Sequence, residues 1–348
     1  MRYSTRSASG VMVLFATALL ATWAGPLAAN CDSSSAPWSS GTCTMNYDGI
    51  DRTFRVHVPK GYKNNTAAPL ALVFHGWGGD ENEFLGNRSV RSLADRRGYI
   101  LVAPRGLGSG DPDYKYNSWT FSGSDSGLDG NGRPICGPGT PDYSYPSCLD
   151  VKYNSCSWTQ CQSNDVAFAL ALVDYVKAHL NVDPARVYAT GGSNGGMFTW
   201  ELGQNSDSAG TFRAIAPLIG LPHRGYLDAQ GKTSDMPVLV ITGTRDTVVP
   251  PGDWEDDSFT TTSNGSDRYY YTGASAITQV WALAHDCSID KPAKPFDDGN
   301  RKTDCRTYCD TSGSEWPAVL DCRARMGHTY SFSWAWPLIL NFFDAHSD

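Results

Sequence analysis

The stretch Ala189-Thr190-Gly191-Gly192-Ser193-Asn194-Gly195-Gly196-Met197 constrains the fold more than any other. It joins a strand-like run, Arg186-Val187-Tyr188, to a helix-compatible run, Phe198 to Leu202. Within it, Gly191-x-Ser193-x-Gly195 is the pattern of a nucleophile elbow, a sharp strand-to-helix turn that lifts a serine hydroxyl above the end of a sheet. A serine hydroxyl is a weak nucleophile and needs a base beside it. Glycines at 191 and 195 remove Cβ atoms for which such a turn has no room. In a chain with 35 glycines, the five residues alone also describe an ordinary strand-to-helix turn. Their meaning depends on whether an acid and a histidine follow in that order.

The rest of the chain supplies the sheet that such a turn requires. Thr42 to Met45 and Thr53 to Val58 flank Asp48-Gly49, which predicts a β-hairpin. Leu70-Ala71-Leu72-Val73-Phe74 is a continuous apolar run, the signature of a strand covered on both faces. It delivers His75-Gly76-Trp77-Gly78-Gly79 at its carboxyl end, the edge where open α/β sheets bind ligands. A helix is expected from about Glu83 to Arg97, then a strand from Tyr99 to Ala103 stopped by Pro104. From Arg105 to Gln162 the alternation lapses into a Gly-, Pro-, Asp-, Tyr- and Ser-rich segment with four cysteines. So long an irregular insert in a compact domain is unusual unless functional, and it reads as a disulfide-pinned excursion over the active-site face, with a decorative surface loop as the alternative. A helix follows, capped by Ser163-Asn164-Asp165 and ended by Asn181-Val182-Asp183-Pro184. Further strands are expected at Phe212–Leu218 and Met236–Gly243, and helices at Ala274–His285 and Trp336–Ala345. Strands alternating with helices predict one doubly wound, mostly parallel α/β domain over residues 30–348, with helices on both faces.

The first 29 residues read as a secretory signal peptide: Arg2 and Arg6, an apolar run from Val11 to Trp23, then small residues ending at Ala28-Ala29. Ten cysteines, all after that segment, fit export and disulfide pairing. They fall into three groups: Cys31 and Cys43; Cys136, Cys148, Cys156 and Cys161; Cys287, Cys305, Cys309 and Cys322. Pairing is expected within groups, with the connectivity open. Zinc is disfavoured because the spacings lack a Cys-x-x-Cys and histidine companions. The net charge of −8 argues against nucleic acid or an anionic membrane as partner. Sequons occur at Asn64, Asn87 and Asn264. Asp125 to Gly132 is rich in oxygen ligands but lacks the ordered spacing of a calcium loop.

Two further residues complete a catalytic pattern. Asp246 follows the Met236–Gly243 strand, so it shares the carboxyl edge with Ser193 and can accept the Nδ1 proton of a histidine. Of the histidines beyond it, His285 lies in an expected helix as a packing residue, and His346 stands where the terminus is expected to fray. His328, in Met326-Gly327-His328-Thr329, sits in a loop before the last helix and can reach between the other two. The order Ser193, Asp246, His328 is that of the α/β-hydrolase fold. Two N–H groups are needed for the oxyanion of the tetrahedral intermediate, and the amides of Asn194 and Trp77 are the candidates. The glycine-rich turn at 75–79 lacks the Gly-Lys-Ser/Thr ending of a phosphate loop.

With these motifs in hand, the chain resembles carbohydrate esterase family 1, which groups feruloyl esterases, acetylxylan esterases and polyhydroxybutyrate depolymerase-like proteins. Phe74 to Gly79, Gly191 to Met197, Gly243 to Pro250, Trp281 to Cys287 and Met326 to Thr329 carry the resemblance. It implies a Ser193–Asp246–His328 triad, oxyanion donors at Trp77 and Asn194, no cofactor or metal, and ester-bearing polysaccharide or small esters as substrates. It also implies a bridge between Cys287 and Cys322, which leaves Cys305 and Cys309 as an extra pair. Trp77, Trp119, Trp316 and Tyr330 are candidate walls for an aromatic acyl group. A secreted, monomeric feruloyl esterase is the leading expectation, followed by acetylxylan and hydroxyalkanoate esterases. From a different class, the alternative is a non-catalytic carbohydrate-binding protein on the same scaffold.

Overall fold

The computed structural model describes residues 29–31, 39–109, 116–143, 145–148, 156–161, 163–208, 210–227, 236–254, 259–261, 268–310, 316–330 and 333–347. Apart from Ala29, the expected signal peptide lies outside these residues, as does the sequon at Asn264. In chain order the strands are β1 Ala29–Cys31, β2 Gly41–Tyr47, β3 Ile50–His57, β4 Ala68–Phe74, β5 Ile100–Pro104, β6 Val182–Gly192, β7 Ala214–Leu218, β8 Val238–Gly243, β9 Phe259–Thr261, β10 Tyr270–Thr272, β11 Lys294–Phe296, β12 Thr303–Thr307 and β13 Val319–Ala324. The helices are α1 Arg88–Arg97, α2 Asp165–His179, α3 Asn194–Gln204, α4 Ala274–Ala284 and α5 Ala335–Ala345. Eleven strands form one sheet in the order β1-β2-β3-β5-β4-β6-β7-β8-β13-β12-β11, and β9 pairs with β10 separately.

The six central strands, β5 to β13 in that order, are parallel, and the hairpins at both edges run antiparallel. Asp48 and Gly49 both adopt positive φ, 52° and 77°, as a two-residue turn matched to strand twist requires. Every residue of β4 is buried. Its side chains alternate between two cores, since successive residues of a strand point to opposite faces. Leu70, Leu72 and Phe74 meet α2, α3 and α4, whereas Ala71 and Val73 meet α1 and α5. This is the α/β-hydrolase fold, a mostly parallel sheet covered on both faces.

Beside the unforeseen strands β1 and β9 to β12, three departures from the sequence reading concern the central sheet and the helices that cover it. Helix α1 begins at Arg88 rather than Glu83, because the Asn87 side chain accepts the Ser89 amide proton and caps it there, while residues 81–86 form turns. Pro184, expected to separate helix from strand, lies inside β6, where the register shift against Ala68 and Leu70 opens a bulge that accommodates proline. Strand β13, next to β8, is absent from the sequence reading. Its Asp321 and Arg323 disguise a fully buried strand by pairing with each other at 2.9 Å.

The bridges are Cys136–Cys156, Cys148–Cys161, Cys287–Cys309 and Cys305–Cys322. Cys43 is also disulfide-bonded, and Cys31 stands opposite it in the β1–β2 ladder. The expected Cys287–Cys322 bridge is therefore corrected, and with it the leftover pair Cys305 and Cys309. The register of β12 against β13 sets Cys305 directly opposite Cys322, Cα to Cα 4.0 Å, in the core under α5. Cys309, beyond the end of β12, faces the other core, where Cys287 follows α4. Among the described residues, one cluster of possible metal ligands occurs, Asp298 with Cys305 and Cys322, and its two sulfurs are bonded to each other. Asp129, in the oxygen-rich loop, accepts N–H bonds from Asn131, Arg133 and Arg224, so its oxygens are engaged by protein donors. Among the described residues, no helix is long and apolar enough to cross a membrane.

Candidate active site

Four parallel strands deliver their following loops to one edge of the sheet. Ser193 stands between β6 and α3 with φ 54° and ψ −119°, a left-handed conformation that a side chain seldom adopts. The neighbouring glycines make the turn possible: a Cβ at Gly195 would lie 2.3 Å from the Phe74 carbonyl oxygen, and one at Gly191 would lie 2.5 Å from the Gly195 carbonyl oxygen. Asp246, three residues past β8, is buried, and its Oδ1 accepts the amides of Val248 and Val249 at 2.8 and 2.9 Å. His328 follows β13. Its Nδ1 lies 2.7 Å from Asp246 Oδ2, and its Nε2 lies 2.9 Å from Ser193 Oγ. An ionised carboxylate only accepts, so Nδ1 carries the proton and Nε2 is left to accept from the serine hydroxyl. The structure thus joins three side chains from distant parts of the chain in the order serine, imidazole, carboxylate.

The turn after β4 is tied on three sides. Gly76 N–H donates to Glu83, Gly78 N–H to the Asn117 carbonyl at 2.8 Å, and Gly79 N–H to the Gly76 carbonyl at 3.0 Å. Of these four consecutive residues, Trp77 alone has an amide that meets no acceptor among the described residues. The Asn194 amide opens α3 and so lacks an intrahelical acceptor. His75 braces the turn from beneath: fully buried, it donates Nδ1–H to the Gly76 carbonyl and accepts the Gly106 amide at Nε2, 2.8 Å.

Beside Ser193 opens a cleft of about 250 Å³, walled by Trp77, Tyr143, Trp158, Tyr269, Tyr271 and Tyr330 over Met197, Val248 and Val249. Trp77 and Tyr330, two of the candidate wall residues, line this cleft. Trp119 does not. It is fully buried, stacked on Phe198 and edge-on to Phe74, because its backbone exchanges two hydrogen bonds with the Asn194 side chain and its indole N–H donates to the His75 carbonyl. Trp119 therefore braces the elbow rather than lining the cleft. Trp316 is also corrected. It packs against Phe296 and Phe342 and borders a larger cavity of about 570 Å³ that contains none of Ser193, Asp246 and His328. That cavity takes in Pro317 and Ala318, the residues that enter β13, whereas His328 follows the strand's other end. His285, expected as a packing residue, donates its Nε2–H to the Met236 carbonyl at 3.0 Å. His346, expected to fray, is held by the Pro317 carbonyl.

The sequence reading missed Tyr143 and Trp158 of the insert, and Tyr269 and Tyr271. For the last two a signal exists: alternation in Tyr269-Tyr270-Tyr271 puts two rings on one side. His223 fixes that wall. Its Nδ1–H donates to the Tyr270 carbonyl, its Nε2 accepts the Trp158 indole N–H at 2.9 Å, and its ring stacks between Phe121 and Tyr271.

Burial keeps both inner histidines neutral, His75 with its pKa lowered to about 4 and His223 to about 3. The sign follows from linkage. The unfolded imidazole takes up a proton below its ordinary pKa of 6.5 while the folded one does not, so folding stability falls as pH drops from 6.5 toward those values. Each contributes about 2 kcal/mol of loss by pH 5 at about 1.4 kcal/mol per pH unit. The His223→Gln variant, which keeps a donor and an acceptor but does not titrate, is expected to lack its share. Urea unfolding of both proteins at pH 7 and pH 5 checks this, and equal pH slopes would refute it.

Fold and site together define an α/β-hydrolase-fold chain whose carboxyl edge carries a hydrogen-bonded serine, histidine and aspartate. No family model matches the chain. Its resemblance to carbohydrate esterase family 1 is carried by curated relatives. It is 27% identical over 201 residues, 58% of this chain and 22% of the other, to a bifunctional acetylxylan esterase/xylanase of Neocallimastix patriciarum. It is 29% identical over 203 residues, 58% of this chain and 47% of the other, to a putative esterase of Nocardia uniformis subsp. tsuyamanensis. It is 33% identical over 140 residues, 40% of this chain and 44% of the other, to feruloyl esterase B of Neurospora crassa. In each case the match spans less than half of the relative's own length. Among solved structures, the acetyl xylan esterase from Aspergillus awamori superposes with a TM-score of 0.52 at 12% identity, over 84% of this chain and 94% of the other, which shows the shared fold.

Proposed function

We propose that the protein is an exported serine carboxylic-ester hydrolase that releases aromatic acyl groups, feruloyl above all, from plant cell-wall polysaccharide. The observation that carries this reading is the Ser193–His328–Asp246 hydrogen-bonded chain opening into an aromatic cleft. In the first step His328 Nε2 takes the Ser193 proton as Oγ attacks the ester carbonyl carbon. The carbonyl oxygen becomes an oxyanion received by the Trp77 and Asn194 amides. Collapse breaks the bond to the alcohol, which leaves with the proton from His328 and gives an acyl-enzyme. Water, deprotonated by the same imidazole, then releases the acid. Asp246 stabilises the imidazolium in both halves. No cofactor or metal enters these steps.

Cleft size favours an aromatic acyl group. A water molecule takes about 30 Å³ of liquid volume, and an acetyl methyl is of similar size, so acetate leaves most of the 250 Å³ empty. Rings offset-stacked or edge-on against Trp158, Tyr269 and Tyr271 gain about 1 kcal/mol each beyond simple burial. The rival substrate is acetylated xylan, favoured by the name of one relative. Side-by-side kinetics on methyl ferulate, acetylated xylan and a hydroxybutyrate oligomer test the ranking, with methyl ferulate expected to have the highest kcat/KM. Trp158→Ala is expected to lower kcat/KM for methyl ferulate about tenfold, the equivalent of about 1.4 kcal/mol of lost contact, and to leave p-nitrophenyl acetate nearly unchanged. Acetate release well above ferulate release, or equal loss on both esters, overturns the aromatic assignment. Export is supported by the basic-then-apolar start of the chain and by its disulfides. A non-catalytic carbohydrate-binding role requires that oxidised wild-type protein hydrolyse no p-nitrophenyl ester.

A further inference from the structure

One ionisable group beside the site has no part in these steps. Glu83 lies in the turns between β4 and α1, within reach of both ends of the glycine-rich loop. Its Oε1 accepts the Gly76 amide at 2.9 Å. Its Oε2 lies so close to Gly79 that a Cβ there would stand 2.4 Å from it. Asn117 holds the same loop from the other side: its carbonyl accepts the Gly78 amide, and its side-chain amide donates to the Gly79 carbonyl. Rotation of the 76–79 peptides is thus fixed at every amide except that of Trp77.

We propose that Glu83 is a positioning residue: its carboxylate anchors the His75–Gly79 turn so that the Trp77 amide is presented to the oxyanion formed at Ser193. The proposal rests on the serine-esterase reading above. The groups facing Glu83 are Asp80 from its own loop, His328 from the loop after β13, and Tyr330 beyond it. Burial lifts the carboxyl to about 7, Asp80 adds to this, and the Gly76 amide and His328 oppose it. The folded pKa is raised, so the ionised acceptor is lost as pH falls through neutrality.

The test uses the full oxidised chain and p-nitrophenyl acetate. Glu83→Ala is expected to lower kcat about 100-fold, as a displacement of about 1 Å at a reacting centre does, with KM little changed. Glu83→Gln keeps an acceptor for Gly76 without a titrating proton. It is expected to recover much of the lost kcat and to lack the component of the acid limb near pH 7 that wild-type protein has. Wild-type kcat in Glu83→Ala, or a folded Glu83→Gln with the same acid limb as wild type, overturns the role of Glu83. If Glu83→Ala does not fold, the Glu83→Gln profile decides alone. Absence of wild-type turnover would overturn the catalytic reading as well, whereas turnover with unaffected variants overturns only this proposal.

Discussion

Ser193→Ala is expected to lower kcat for p-nitrophenyl acetate about a million-fold, the scale on which a serine hydrolase falls when its nucleophile is removed. The substitution is clean in structural terms. Alanine keeps the Cβ that Ser193 already carries at φ 54°, so it adds no strain to the elbow, and the glycines that permit the turn are untouched. His328 retains its bond to Asp246 and loses only the 2.9 Å contact to the hydroxyl. Unfolding temperature should therefore stay close to wild type while turnover disappears. Steady-state kinetics and a thermal melt on the same preparation check both halves. Retention of a tenth of wild-type kcat would remove Ser193 from the chemistry.

Asp246→Asn is expected to lower kcat about ten-thousand-fold, through the tautomer of the imidazole rather than through its position. The carboxylate spends Oδ1 on the Val248 and Val249 amides, which demand an acceptor. An asparagine must give its oxygen to those two donors, which turns its NH2 toward His328. Nδ1 then becomes the acceptor and the proton moves to Nε2, where it faces Ser193 Oγ and cannot accept from it. Kinetics on the same ester measure the effect, and a loss smaller than tenfold would show that the carboxylate does not set the tautomer.

What could be read in the sequence follows a physical line. Strands covered on both faces, such as β4, β5 and β8, announce themselves as apolar runs. β13 is equally buried, yet Asp321 and Arg323 neutralise each other in three dimensions and look polar in one. The site behaved likewise. Ser193, Asp246 and His328 each follow a strand or sit in a loop that chain order identifies. Trp119 and Trp158 are indistinguishable as letters in one insert. Only the hydrogen bonds to Asn194 and to His223 decide which braces the elbow and which faces the cleft. Four cysteines allow three pairings, and the β12–β13 register, unavailable to spacing arguments, selects among them.

The exchange of two hydrogen bonds between Asn194 and the Trp119 backbone makes the reactive centre depend on a segment that is not part of the sheet. That segment is shaped by the bridges Cys136–Cys156 and Cys148–Cys161. The reactive centre therefore relies on those two bridges as well as on the sheet. On the proposed esterase reading, the step that completes the reactive centre is the closing of these two bridges rather than the collapse of the chain.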